Sequence, residues 1–307
     1  MMMLPLASRF SVRVARRARA PPAPLRAQSS GAAVPDRKLI RFRDDEGTES
    51  WGQFADVLET HARVATRDEA SGRWSLPCGG GPSVRIETLL PPVDPLAIFC
   101  IGLNYRAHAA EVGMPLPERP LVFSKTINAL TGHGSAILLP RVARDEVDYE
   151  AELAVVIGRE ALDVPAERAL DFVLGYTIAN DVTARRWQGK KGGGQWLRAK
   201  SFDTFLPLGP FLVPAADVPD PQALRIQTWV NDQRVQDGNT SDMVFSVAQI
   251  IAFLSQDTTL LPGTLILTGT PAGVGYTKQR FLRSGDSVRI EIEGLGALRN
   301  TVAEHVN

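Results

Sequence analysis

The chain has 307 residues, of which 44% are hydrophobic and 22% charged, with 34 basic and 34 acidic side chains. That is an ordinary globular balance with material for one large domain or two smaller ones. No run reaches the roughly 20 apolar residues that cross a bilayer, because LLPPVDPLAIFCIGL is short and is broken by Pro91, Pro92 and Pro95.

Residues 1–33 contain Arg9, Arg13, Arg16, Arg17, Arg19 and Arg26 and no acid. An Arg-rich, acid-free, small-residue-rich leader that can form a basic amphipathic helix predicts a mitochondrial transit peptide and a matrix location. A disordered basic tail is the plainer alternative. Without those six arginines, 28 basic residues face 34 acids, a balance that argues against a nucleic-acid surface. Residues 36–92 predict a small N-terminal α/β subdomain and linker. KLIRFRD and WGQF read as strands, SWGQFADVLETHARVATRDE carries helical spacing, and LPCGGGP is punctuation. Cys78 and Cys100 are too few for a disulfide framework and lie in no CxxC spacing, so both are expected to be reduced thiols.

From residue 93 to 307 the texture is β-branched strands separated by turns: AIFCIGL, LVFSK, YEAELAVVIG, VLGYTIAND, FLPLGPFLV, LRIQTWVNDQRV, TLILTGTPAGVG and DSVRIEIEGLGALRNTV. Helical spacing is confined to NYRAHAAEVG, PAERALDFV, DVTARRWQGK and MVFSVAQIIAFLSQ. There is no repeat and no heptad seam. The pattern predicts an α+β fold dominated by β structure.

Strand alternation in DYEAELAVVIG puts Asp148, Glu150 and Glu152 on one face, opposite Tyr149, Ala151, Leu153, Val155 and Ile157. A solvated face would make the acids its polar side; a covered face would require a cation. Asp181, at the end of another strand in GYTIANDVTARRWQ, is either a helix N-cap or a third carboxylate. Together with Glu150 and Glu152 it would give a hard oxygen set for Mg2+, Mn2+ or Ca2+. His108 and Glu111, three apart on a short helix, have the form of a general acid/base pair, although such pairs also decorate exposed helices. Lys200 lies among apolar residues, where burial would lower its pKa toward neutrality, unless it snorkels to the surface. The glycine-rich LTGTPAGVG offers backbone N–H groups and the hydroxyls of Thr268 and Thr270 to a carboxylate. Neither it nor GKKGGGQW has phosphate-loop order. His61, His133 and His305 read as structural or exposed.

Six motifs in order, GLNYRAHAAE, FSK, YEAELAVVIG, NDVTARRWQ, AKSFDTFLPLGP and LTGTPAGVG, resemble the fumarylacetoacetate hydrolase (FAH) superfamily over residues 95 to 305, and within it the mitochondrial FAH domain-containing protein 2 group. The resemblance implies a mixed β-roll fold, a homodimer, and a divalent ion, Mg2+ or alternatively Mn2+ or Ca2+, held by Glu150, Glu152 and Asp181. It also implies a lid carrying His108 and Glu111 that orders over the substrate, with Lys200, Gln188, Arg185 and Thr270 around it. The substrate class implied is a small 2-oxo dicarboxylate, and the activity keto–enol interconversion of oxaloacetate. Acylpyruvate hydrolysis and oxaloacetate decarboxylation are the alternatives on the same chemistry, and a catalytically silent homodimer that binds metal or dicarboxylate is the alternative of another class. Relatives commonly follow TAR with aspartate where this chain has Arg186. That cation would either meet a second substrate carboxylate or face solvent.

Overall fold

A computed structural model describes residues 38–55, 60–67, 74–75 and 82–305. The expected leader and Cys78 lie outside them. Two sheets organise the fold. The larger has seven strands in the order Leu121–Ser124, Ile98–Gly102, Leu265–Leu267, Ala151–Ile157, Val173–Asn180, Leu206–Pro214 and Leu130–Thr131. Most neighbours are antiparallel, but Leu265–Leu267 runs parallel to Ile98–Gly102 and Leu206 pairs in parallel with Leu130. The second sheet has five strands, ordered Ala136–Leu139, Gly296–Glu304, Ser287–Ile292, Arg225–Val230 and Gln233–Asn239. Its sequence shows the half-buried period of two, with Val288, Ile290 and Ile292 turned inward. The two sheets pack against each other around the Ala151–Ile157, Val173–Asn180 and Leu206–Pro214 strands.

The Ala151–Ile157 strand is buried along its whole length. Hence its sequence runs almost continuously apolar rather than alternating. Leu153, Val155 and Ile157 are wholly buried and each contributes about 1.5–3 kcal/mol of apolar burial. Glu152 is therefore an acid inside a core strand. The longest described helix, Val247–Leu254, buries Val247, Ile250, Ile251 and Leu254, and Ser246 and Gln249 close a reciprocal capping box at its start. No helix among the described residues is long and apolar enough to cross a membrane.

The α+β, β-dominated class is what the sequence predicts; the N-terminal segment is where it differs. The strands Ile40–Asp44, Glu49–Phe54, His61–Val64 and Val84–Leu90 close a small barrel, so the helical spacing expected between 50 and 69, including His61, gives way to strands in the described residues. Gly52 permits a close approach of the Glu49–Phe54 and His61–Val64 strands: a Cβ there would sit 2.2 Å from the Arg63 carbonyl oxygen, so a side chain is excluded at this position.

Candidate active site

Asp148, Glu150 and Glu152 do not share a surface. Val147–Asp148 leaves the main sheet to pair with Thr183–Ala184, and regular pairing resumes at Ala151. Asp148 is wholly buried and serves structure. Its carboxylate accepts N–H bonds from Tyr149, Gly275 and Tyr276 at 2.8, 2.8 and 2.9 Å, and pairs with Arg185. Glu150 and Glu152 turn instead toward Asp181, and the ligand oxygens of these three lie within 4.8 Å of one another. Asp181 follows the Val173–Asn180 strand, and its N–H bonds back to the Glu150 carbonyl at 2.9 Å. It caps no helix: the next one, Arg185–Gln188, starts from Ala184.

Cations surround the triad. Lys200, at the end of the short helix Trp196–Lys200, donates to Glu150 Oε2, Asp181 Oδ2 and Thr183 Oγ1 at 2.7, 2.6 and 2.8 Å. All three ammonium protons are thus engaged. Burial alone would lower the Lys200 pKa, but Asp181 and Glu150 outweigh it and raise it above the ordinary lysine value. The expectation of a lowered, near-neutral lysine is corrected on this point, because burial brings the carboxylates along with it. Arg185 reaches Asp148 and, at 2.7 Å, Glu150, and donates to Gln188 Oε1 at 2.9 Å. Its fork is thereby committed to positioning the protein's own carboxylates. Lys125, which sequence reading gave no role, is buried and donates to Asp181 Oδ1 at 2.6 Å and to the Val182 carbonyl at 3.2 Å.

Burial would raise the Glu150 pKa, but Lys200 and then Arg185 bring it down from 4.5 to about 2. Glu152 behaves in the opposite way. It is 1% exposed and accepts the Gly269 N–H at 2.6 Å, and no cation stands within ion-pairing range of it among the described residues. Burial first, then Asp181 and Glu150, push its carboxyl well above the ordinary value. A buried acid facing two carboxylates without its own counter-charge suits a divalent cation, and all three donors are hard oxygens. Glu150, Glu152 and Asp181 are the residues that could hold it.

These shifts give adjoining pH windows. The Glu150 pKa is lower folded than unfolded, so its stabilisation is present above about 4.5 and is lost as pH falls toward about 2. Glu152 is raised, so its contribution is present below 4.5 and is lost as pH climbs through its folded value. Urea unfolding between about pH 5 and pH 3 is expected to show stability falling with acidity in the wild type, and a flatter profile for Glu150→Gln. Equal slopes would remove Glu150 from the balance.

His108 is buried on the helix Arg106–Glu111, and its Nδ1 lies 3.3 Å from Glu111 Oε2. Glu111 is itself fixed, accepting the Gly273 N–H at 3.0 Å and the Thr277 hydroxyl at 2.9 Å. A carboxylate on Nδ1 requires the proton there, which leaves Nε2 as the basic nitrogen. His108 is near enough to Glu150 to help lower that acid.

The glycine-rich turn differs most from expectation. The amides of Gly269, Gly273 and Gly275 bond Glu152, Glu111 and Asp148, and the Thr268 hydroxyl donates to the Leu153 carbonyl at 2.8 Å. It thus holds carboxylates of the protein itself. Glycine is required at 273, where φ is +105° and a Cβ would lie 2.1 Å from the Val235 carbonyl. Arg186 pairs with Glu146 at 3.2 Å with 56% of its side chain exposed, so it faces solvent. His133 is structural: its Nδ1 accepts the Arg299 N–H at 3.2 Å. Cys100 is a buried free thiol.

Three carboxylates that converge from the ends of two core strands, with a carboxylate-oriented imidazole on the Arg106–Glu111 helix, form the kind of constellation found in enzyme sites. The chain belongs to the fumarylacetoacetate hydrolase family: residues 97–303 match the family described as fumarylacetoacetate (FAA) hydrolase C-terminal. It is 45% identical over 252 residues to the human protein named oxaloacetate tautomerase FAHD2A, mitochondrial, with 81% of this chain and 78% of that one covered. The corresponding Xenopus laevis protein, named oxaloacetate tautomerase fahd2, mitochondrial, is 47% identical, with 71% and 68% covered. Among solved structures, a 2-hydroxyhepta-2,4-diene-1,7-dioate isomerase from Mycobacterium marinum superposes with a TM-score of 0.73 at 38% identity, covering 88% of this chain and 99% of that one.

Proposed function

We propose that this protein is a divalent-metal-dependent oxaloacetate tautomerase acting as a homodimer in the mitochondrial matrix. The observation that carries the reading is the convergence of Glu150, Glu152 and Asp181 near a His108 oriented by Glu111, in a chain so similar to proteins named for that activity. The matrix location is supported by the basic leader and by the relatives' names.

A divalent ion bound by the triad would supply a positive centre that draws electron density from the 2-oxo and carboxylate oxygens of the substrate. The chain's residues do the rest. His108 Nε2 takes the proton from C3 of the keto acid, and Glu111, on Nδ1, stabilises the imidazolium that results. Delivery of that proton from Nε2 to the 2-oxo oxygen completes the enol, and the reverse sequence takes it from the enol hydroxyl and returns it to C3. Lys200 has no free proton site and acts as a fixed charge that keeps Glu150 and Asp181 ionised and in place. The burial of His108 and of the triad limits access of water to the proton being moved.

Stopped-flow absorbance at an enol-sensitive wavelength, following ketonisation of enol-oxaloacetate with Mg2+, with Mn2+ and with chelator, tests the reading. Metal-dependent acceleration is expected. Release of CO2 or cleavage of acylpyruvates without that acceleration would favour the decarboxylase or hydrolase alternatives. Ion and oxaloacetate binding without turnover would favour a silent binder.

A further inference from the structure

Thr270 is a buried hydroxyl in the glycine-rich turn, and its hydrogen-bond polarity is settled by a neighbour that the mechanism does not use. Gln236, on the strand Gln233–Asn239, is 1% exposed. Its Oε1 accepts from the Ala151 N–H at 3.1 Å and the Thr228 hydroxyl at 2.8 Å. Its Nε2 donates to the Pro271 carbonyl and to Thr270 Oγ1, both at 2.9 Å. These four bonds exhaust the amide's capacity. They also fix which end is which, since a backbone N–H can only donate and a backbone carbonyl can only accept; the flipped amide would set N–H against N–H and oxygen against oxygen. Thr270 Oγ1 therefore receives a proton from Gln236, and its own proton must be given elsewhere. Ala151 stands between Glu150 and Glu152, so one side chain ties the carboxylate-bearing strand to Thr270.

We infer that Gln236 is a positioning residue that holds Thr270 as a hydrogen-bond donor to a carboxylate of the substrate. This rests on the reading above, in which a small 2-oxo dicarboxylate binds beside the triad. With Gln236 in place the hydroxyl cannot turn its proton toward the Gln236 amide, and the donor is aimed before substrate arrives.

The test is a double-mutant cycle on the full-length protein with Mg2+, reading KM and kcat for oxaloacetate and the calorimetric affinity for oxalate. Thr270→Val and Gln236→Met are each expected to raise KM and weaken oxalate binding about tenfold, with kcat at saturation changed less. The double variant is expected to bind no more weakly than Thr270→Val alone. Thr270→Ser, which keeps the hydroxyl, is expected to lose less than Thr270→Val. If Gln236→Met raises KM by the same factor with and without the Thr270 hydroxyl, or does not raise it at all, Gln236 only braces the strands and the inference falls. Should Gln236→Met fail to fold, Gln236→Glu keeps the shape but takes the Thr270 proton, and an unchanged KM in that variant would equally overturn it. Wild-type protein that neither turns over oxaloacetate nor binds oxalate removes the proposed function, and this inference with it, before any variant is measured.

Discussion

Glu150→Ala is expected to lower kcat/KM for the proposed tautomerisation by at least about 10^3-fold and to abolish saturable Mn2+ binding. Glu150 is the point where the triad meets its counter-charges: Arg185 and Lys200 both pair with it at 2.7 Å. Without this carboxylate, Arg185 keeps Asp148 and Lys200 keeps Asp181, so much of the network survives while the oxygen set loses a member. Folding should persist, as near-UV circular dichroism would verify. Retained turnover in a folded variant would refute the assignment of the triad.

Lys200→Met carries the second large effect, and its size depends on the ion. The ammonium is buried with Glu150 and Asp181 at 2.7 and 2.6 Å. Removing it leaves two interior carboxylates short of compensation, a loss of about 3–5 kcal/mol in protein without divalent ion. Activity should fall as well, since the charge that fixes both acids has gone. A divalent cation offers the same acids a replacement charge and no longer competes with the lysine. Mn2+ is therefore expected to raise the thermal midpoint of Lys200→Met by more than it raises that of the wild type. Differential scanning calorimetry with and without Mn2+ decides the matter. A smaller increment in the variant would mean that Lys200 assists ion binding instead of opposing it.

Spacing alone left Glu150 and Glu152 open to a solvated face and Asp181 to a helix N-cap; the resemblance carried by the six ordered motifs is what joined the three into one set. The pairing of His108 with Glu111 was legible as i,i+3 spacing on a helix. Lys125 was not, since it follows a short edge strand and meets Asp181 only after the sheet has assembled across 56 positions of sequence. Gln236 was hidden for the same reason: its partners come from three separate segments. Asp148 misled because alternation presumes an unbroken strand, and the chain leaves regular pairing at Tyr149 and Glu150. KLIRFRD and WGQF were legible as strands, whereas His61–Val64 was hidden by apolar positions that satisfy a helical period as readily as a pleated one.

Connecting segments ordinarily absorb an inserted residue at little cost, because their backbone answers mainly to water. The stretch from Gly269 to Tyr276 answers instead to Glu152, Glu111 and Asp148, each gripped by a main-chain amide at a fixed offset. Lengthening it by one residue would put the partner of His108, the buried Glu152 and the anchor of Arg185 out of step together. Variation in loop length, a common route to new specificity, is thereby closed at this position, and changes in what the site accepts must come from side chains.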